Sequence, residues 1–221
     1  MRSIGIVGNG FVGGATALLE GQGTDLFIYD LDPLKCSHHG LELKDLVYCN
    51  FIFVCVPTPM DLDGSANTVQ VDKIVIELMD YGFSSERIII KSTVPVGTSK
   101  RLGTMFMPEF LTERNWEKDF VTQTDWILGT NDRNDSIRDE LWCIFNDAYE
   151  SNILKNSPKM HYMSTEEAEL VKYTRNSFLA VKVSFFNEIH DFCTALELDY
   201  DRVKDMVVLD DRITKSHTQV P

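Results

Sequence analysis

Gly8-Asn9-Gly10-Phe11-Val12-Gly13 sets three glycines at the spacing GxGxxG, directly after the apolar run IGIVG (residues 4 to 8) and before a segment of helix formers that includes Ala15, Thr16, Ala17, Leu18 and Leu19. A side chain at Gly8 would obstruct the tight turn. One at Gly10 would hold the backbone off a pyrophosphate, and one at Gly13 would push helix from strand. The unpaired N–H groups of the following helix then face phosphate. Gly8, Gly10, Phe11, Val12 and Gly13 are therefore candidate dinucleotide contacts. Asp30 ends the next apolar run, DLFIYD (25 to 30), about twenty residues on, where a carboxylate accepts from a ribose hydroxyl. A carboxylate there also repels a 2′-phosphate, which favours NAD over NADP. Lys35 suits packing along the adenosine ribose, and equally suits a solvated surface.

Two further stretches follow apolar runs. CVPTP (55 to 59) offers Val56, Pro57 and Thr58, and KSTVPVG (91 to 97) presents Thr93 at its tip. Prolines stiffen both where a doubly wound sheet places its ligand crevice, at the carboxyl ends of its strands. Each taken alone reads equally well as a stiffened connection. Lys172 and Asn176 stand four residues apart in a helical stretch and so share a face. A cation beside an amide donor suits an oxyanion, and losing one such donor costs on the order of 3 kcal/mol of transition-state stabilisation. The alternative is a surface Lys beside a surface Asn.

The elements that must position these groups follow from the pattern. FIFVCV (51 to 56) and RIIIKST (87 to 93) continue the series of short apolar runs, with VDKIVIELMDYG (71 to 82) as a helix between them, and MFMPEF (105 to 110) and DWILGT (125 to 130) extend it. Continuous apolar strands alternating with helices predict an α/β fold, a Rossmann-like doubly wound parallel sheet covered on both faces. VPVGTSKRLGT leaves room only for a short helix or a local change of topology. From Ser164 the character changes: Ser164 and Glu167 form a capping-box pattern, and more than thirty residues follow without Gly or Pro. This predicts one long central helix followed by a short helical segment. Phe178, Val181, Phe185, Ile189, Phe192 and Leu196 recur at helical spacing, which predicts a buried stripe. The expected organisation is a dinucleotide-binding domain over 1–162, then the long helix and the start of a dimerisation region over 163–221.

The 221 residues are 43% hydrophobic and 25% charged, proportions of a globular chain with a real core. The formal charge of −13 argues against a nucleic-acid backbone or an anionic membrane as partner. No run is apolar enough to span a bilayer. Cys36, Cys49, Cys55, Cys143 and Cys193 form no CxxC pair and no metal-ligand pattern, so free thiols in a reducing cytoplasm are expected and no metal is.

Taken in order, GNGFVG, YDLD, FVCVPTP, KSTVPVGT, MPEFLTE and AELVKYTRNSFLAVKVSFFNE closely resemble the nucleotide-sugar dehydrogenases, the UDP-glucose/GDP-mannose dehydrogenase family, from Gly5 to the end of the chain. The resemblance implies NAD-dependent oxidation of a sugar primary alcohol to a carboxylate, in two hydride transfers through a thioester on a cysteine. PEFL in place of a PER-type motif implies UDP-glucose, oxidised to UDP-glucuronate, with GDP-mannose the nearest competitor. It implies Thr93 as a catalytic threonine near the reacting carbon. It makes Glu109 the general base for thioester hydrolysis, which burial would tune towards neutrality. Phe110 and Leu111 become substrate contacts, Glu113 a group near the nicotinamide ribose, and Lys172 and Asn176 the oxyanion donors. Solvated turns are the alternative for Glu109 and Glu113. Arg212 matches an arginine that reaches the nucleotide sugar of a neighbouring subunit, and a surface pair with Asp210 or Asp211 is its alternative. The long helix is implied as the core of a homodimer. The family's GFGGxCxPKD segment, with its nucleophilic Cys and catalytic Asp, does not occur among these residues, and Met107 replaces the usual Asn. The chain is thus expected to be the NAD-binding and helical part of such an enzyme, inactive alone; a non-catalytic dinucleotide-binding or dimerising module is the second reading.

Overall fold

The structure, a computed structural model, describes residues 2–21, 23–130 and 135–220. The chain runs β1 (Arg2–Val7), α1 (Phe11–Ala17), β2 (Thr24–Tyr29), β3 (Phe51–Val54), α2 (Val69–Asp80), β4 (Ile88–Ile90), α3 (Thr98–Leu102) and β5 (Met105–Phe106). It continues as α4 (Trp116–Thr122), β6 (Asp125–Gly129), α5 (Asp135–Glu150), β7 (Lys159–Met163), α6 (Thr165–Ala195) and α7 (Tyr200–Val207). Among the described residues the strands form one sheet in the order β2-β1-β3-β4-β5-β6-β7, parallel throughout except between β5 and β6, where Phe106 faces Gly129. The topology therefore departs from all-parallel one connection later than VPVGTSKRLGT, which holds the expected short helix, α3.

The apolar runs carry side chains to both faces. In β3 and the residue after it, Phe51, Phe53 and Cys55 join a core under α1 and α5, while Ile52 and Val54 join a second core with α2. Ile89 follows the first set and Ile88 and Ile90 the second. This two-sided burial explains runs with no polar alternation. Trp126 is the largest side chain of the first core, edge-on to Phe120 at 5.0 Å and tilted on Phe145 at 4.7 Å.

Several expected spans shorten, and α4, α5 and β7 were not anticipated. β5 stops at Phe106 and not at Phe110, because Pro108 has no N–H to give a ladder. β3 and β4 stop at Val54 and Ile90, which leaves Cys55 and Lys91 at the mouths of loops. Helix α5 buries Ile137, Leu141, Ile144, Phe145 and Ala148, a helical spacing present in a stretch dense with charge. Strand β7 is short and half-exposed, so it carries no alternation by which to be recognised.

Compactness divides the chain into Met1–Lys172 and Tyr173–Pro221, later than the change of character at Ser164. The reason is that the first two turns of α6 belong to the sheet domain. Ser164 accepts from Glu167 N at 3.3 Å and Glu167 Oε2 accepts from Ser164 N at 2.8 Å, the expected capping box. Thr165, Ala168 and Glu169 are fully buried. Glu169 accepts the backbone N–H groups of Gly97 at 2.6 Å and Ser99 at 2.8 Å, which fixes the start of α3.

In the second unit, Phe186 and Cys193 are buried on the remainder of α6, Asp199 caps α7 by accepting from Arg202 N at 3.1 Å, and Tyr200 donates to Thr218 O at 2.6 Å. Within this chain the expected stripe is left uncovered: Phe178, Val181, Phe185, Phe192 and Leu196 are exposed and Ile189 is half-buried. The two described elements of this unit are too short of apolar partners to cover a helix of 31 residues on that side.

The seat of α6 is tight at Gly129, where an added Cβ would lie 2.8 Å from Ala168 Cβ and 2.9 Å from Thr165 Cα. Gly129→Ala is expected to lower stability by about 1–3 kcal/mol, the usual cost of overpacking. A urea denaturation curve checks this, and an unchanged midpoint would show that the helix yields freely.

Candidate functional site

The strand order reverses between β1 and β3, so the chain leaves these neighbours in opposite directions and opens a crevice at their carboxyl ends. Gly8 lies there at φ +95°, and a Cβ on it would stand 2.7 Å from the Cys55 carbonyl oxygen. A Cβ on Gly13 would stand 1.9 Å from the Gly8 carbonyl oxygen. Both positions therefore require glycine. Gly10 differs: an added Cβ meets nothing within 4 Å, so the room above the turn is open to a ligand. Phe11 is exposed and Val12 half-buried at this turn.

Asp30 is already oriented. Its Oδ2 accepts from Asn9 N at 2.7 Å and its Oδ1 from Asp32 N at 2.9 Å, while Asn9 Nδ2 donates to the Lys35 carbonyl at 2.8 Å. Each carboxylate oxygen keeps a lone pair for a ribose hydroxyl. Lys35 is brought to this edge through its backbone, with its side chain exposed. The open room at Gly10, the glycine-dependent turn and the preset carboxylate fit the diphosphate and ribose of NAD.

The loops after β3 and β4 are tied together. Thr58 Oγ1 donates to the Thr93 carbonyl at 2.8 Å, and Ser92 Oγ donates to the Val56 carbonyl at 2.7 Å. Pro57 is exposed between these contacts. Thr93 is half-buried, and its own hydroxyl has no partner among the described residues. Ser92 lacked a sequence signal beyond its place beside Thr93.

Glu109 and Lys172 form an ion pair whose side chains are only 11% and 6% exposed. Lys172 Nζ donates to the Glu109 carboxylate and, at 2.5 Å, to the Glu109 carbonyl, and Glu109 Oε2 accepts from Leu111 N at 2.9 Å. The turn is pinned by its next two side chains: Phe110 packs against one face's core and Leu111 against the other's. The Lys172 ammonium also lies 5.6 Å from the centre of the Phe110 ring. Met107 is fully buried in the core, which accounts for an apolar residue there.

Other predicted residues stand apart. Glu113 is exposed on the turn before α4, with no hydrogen-bond or ion-pair partner among the described residues. Asn176 is exposed on the part of α6 that belongs to the second unit, so the structure buries Lys172 but not Asn176. Arg212 is exposed and donates to Asp210 through Nε at 2.9 Å and Nη2 at 2.5 Å, the surface pairing that its sequence neighbours allow. Two residues escaped the sequence reading: Lys91, an almost fully buried lysine at the end of β4, and Glu169, one turn before Lys172. The only sequence trace of Lys91 is a charge placed directly after three isoleucines.

Among the described residues there is no cluster of three or more His, Cys, Asp and Glu arranged to hold a metal, and no helix is long and apolar enough to cross a membrane. Burial pushes the Cys49 thiol up to about 11 and the Cys55 thiol up to about 12.

Comparison with known proteins accords with this arrangement. The NAD-binding domain model of the UDP-glucose/GDP-mannose dehydrogenase family matches residues 39–147, and the central domain model of the same family matches residues 166–220. A UDP-glucose 6-dehydrogenase of Campylobacter jejuni is 28% identical over 95% of this chain, which spans 61% of that protein. An uncharacterized protein of Methanocaldococcus jannaschii is 32% identical over 96% of this chain, which spans 27% of it. The structure of a UDP-glucose dehydrogenase from Pyrobaculum islandicum superposes with a TM-score of 0.80 at 26% identity, over 99% of this chain and 59% of that one. With two domain models of one family matched in order along it, the chain belongs to the UDP-glucose/GDP-mannose dehydrogenase family and carries that family's NAD-binding domain.

Proposed function

We propose that this chain is the NAD-binding and central-helix part of a dehydrogenase that oxidises UDP-glucose to UDP-glucuronate. The observation that carries the reading is the buried Glu109–Lys172 pair, set beyond the carboxyl ends of the strands that also build the dinucleotide crevice. A binding module has no use for a desolvated ion pair there, because hydrophobic residues of similar volume often serve stability as well or better. Bound at this turn, NAD would supply the hydride acceptor. Gly8, Gly10 and Gly13 shape its turn and Asp30 orients its ribose.

The roles we assign to the chain's own residues follow from their environment. Thr93 has a free hydroxyl on a loop held from both sides, suited to a water or a substrate oxygen. Lys172 uses two of its three N–H groups on Glu109, and the third is left for an oxyanion. Glu109 is shielded from bulk water beside the Lys172 ammonium, a carboxyl group placed to take a proton from water once a ligand draws on Lys172. Asn176, Glu113, Phe110, Leu111 and Arg212 remain proposed contacts to the nucleotide sugar or the nicotinamide. We assign the nucleophilic thiolate to none of the five cysteines. UDP-glucose is favoured over GDP-mannose by PEFL and by the C. jejuni and P. islandicum proteins. We further propose that a second copy of the chain covers the exposed α6 stripe.

Titration with NAD, followed by the fluorescence of Trp116, which stands 3.5 Å from where a Cβ on Gly14 would be, should saturate. Asp30→Ala should weaken it roughly 10- to 100-fold, the effect of losing about 1.5–3 kcal/mol of charged hydrogen bonding. Unchanged affinity would remove the cofactor site. Steady NADH formation from UDP-glucose by this chain alone would overturn the assignment of the thiolate.

Cys55 and Cys49 should resist iodoacetamide at pH 8 in the folded protein, since almost none of either thiol is ionised there. Half-buried Cys36 and Cys143 should react first, as read by mass spectrometry of the digest. Sedimentation equilibrium should give a dimer for the unaltered chain and a monomer for Phe185→Glu; a monomer for both would exclude the pairing through α6.

A further inference from the structure

Lys91 is the first residue beyond β4 and only 3% exposed. The register fixes its neighbours. Val54 pairs with Ile90, which puts Lys91 beside Cys55, and Met107 N donates to the Ile90 carbonyl at 2.9 Å, which puts Met107 on the other side. Cys55, Ile89 and Met107 all belong to the core under α1, and alternation along β4 sends Lys91 to the face of Ile89. A lysine in such a place is expected to find an acceptor, yet its ammonium makes no hydrogen bond or ion pair among the described residues. Burial lowers its pKa; Cys55 and then the charge of Glu109 oppose that shift, and the charge of Lys172 adds to it. Met107, beside Lys91, stands two residues before Glu109, so the register itself brings Lys91 to the turn that carries the buried pair.

One turn of chain thus carries a carboxylate paired with Lys172 and, two residues before it, the strand neighbour of a second lysine. Leaving a buried carboxylate uncompensated is costly, commonly about 3–5 kcal/mol when one partner of a buried pair is removed. A ligand oxyanion that draws on Lys172 would impose part of that cost. We propose that Lys91 is the second counter-ion of Glu109, a positioning residue that keeps the carboxylate compensated while Lys172 serves a ligand oxyanion. The purpose of this arrangement rests on the oxyanion role assigned to Lys172; the electrostatic link itself does not.

A stability cycle tests that link on the full chain without cofactor or substrate. In the unaltered protein, Lys91→Met removes an unpartnered buried charge and should raise the urea midpoint. In a Lys172→Met background it removes the last cation beside Glu109 and should lower the midpoint, with Lys91→Arg retaining it. The carboxyl carbon NMR signal of Glu109 should stay that of a carboxylate in Lys172→Met and become that of a protonated acid only in the double variant. If Lys172→Met does not fold, Glu109→Gln replaces it as background, and there Lys91→Met should raise the midpoint more than in the unaltered chain. A shift of the same sign and size in every background, or a Glu109 signal insensitive to Lys91, overturns the proposal. Either result leaves the NAD titration to decide the proposed function separately.

Discussion

The ion pair between Glu109 and Lys172 is the constraint on which the rest of the sheet domain depends. Its two members are almost wholly out of water, and the desolvation cost of such a pair, several kcal/mol per ion, is offset only by good geometry and further hydrogen bonds. The structure supplies these by unrelated means. Pro108 ends β5 so that the chain can turn, Phe110 and Leu111 anchor that turn in opposite cores, and Leu111 N satisfies the second carboxylate oxygen. On the other side, the capping box fixes where α6 begins and Gly129 lets it approach β6 closely enough to bring Lys172 inward. A pair this expensive does not by itself argue for stability, and its position beside a ligand crevice argues for chemistry.

The crevice obeys a different constraint, that of backbone passing backbone. Gly8 and Gly13 are set by contacts with carbonyl oxygens that no side chain could share, whereas Gly10 faces open room. Two glycines thus serve the fold, and the third leaves the space above the turn open. Thr58 and Ser92 then bind the loops after β3 and β4 to each other, so that the free hydroxyl of Thr93 is held by its backbone and not by its side chain. Glu169 extends the same control to α3: it caps that helix from α6, one turn from Lys172. The loop bearing Thr93 and the helix bearing Lys172 are consequently positioned by one buried carboxylate.

Much of this was legible in the sequence because each device carries a local signature. GxGxxG followed by Asp30, the apolar runs of β1 to β4 and the Ser164–Glu167 box all name their own geometry. Parts set by long-range burial were not legible. Beyond its place after three isoleucines, nothing local distinguishes Lys91 from a surface lysine, since its burial comes from Cys55 and Met107 on neighbouring strands. The helical spacing in α5 was present but masked by charge, and β7, half-exposed at the sheet's edge, has no alternation to reveal it. Asn176 shows the converse: spacing put it on the face of Lys172, yet the burial that covers Lys172 does not extend one turn further to it.

That limit of burial bears on the second unit. A short segment buries a small fraction of its surface, so its stability rests on what it can cover. Here Phe178, Val181, Phe185, Phe192 and Leu196 remain exposed on α6, and Leu198, Met206 and Leu209 beyond it, against few buried side chains such as Phe186 and Cys193. Exposed apolar side chains in this number accord with the interaction face proposed above. At roughly 25 cal/mol per Å² of apolar area removed from water, covering several Phe and Leu side chains contributes several kcal/mol, comparable with the whole stability of a small domain. On the reading that a second copy provides the cover, association and folding of this unit are one equilibrium. The order of α6 would then depend on protomer concentration, while the capping box and the Gly129 contact hold its first two turns within a single chain.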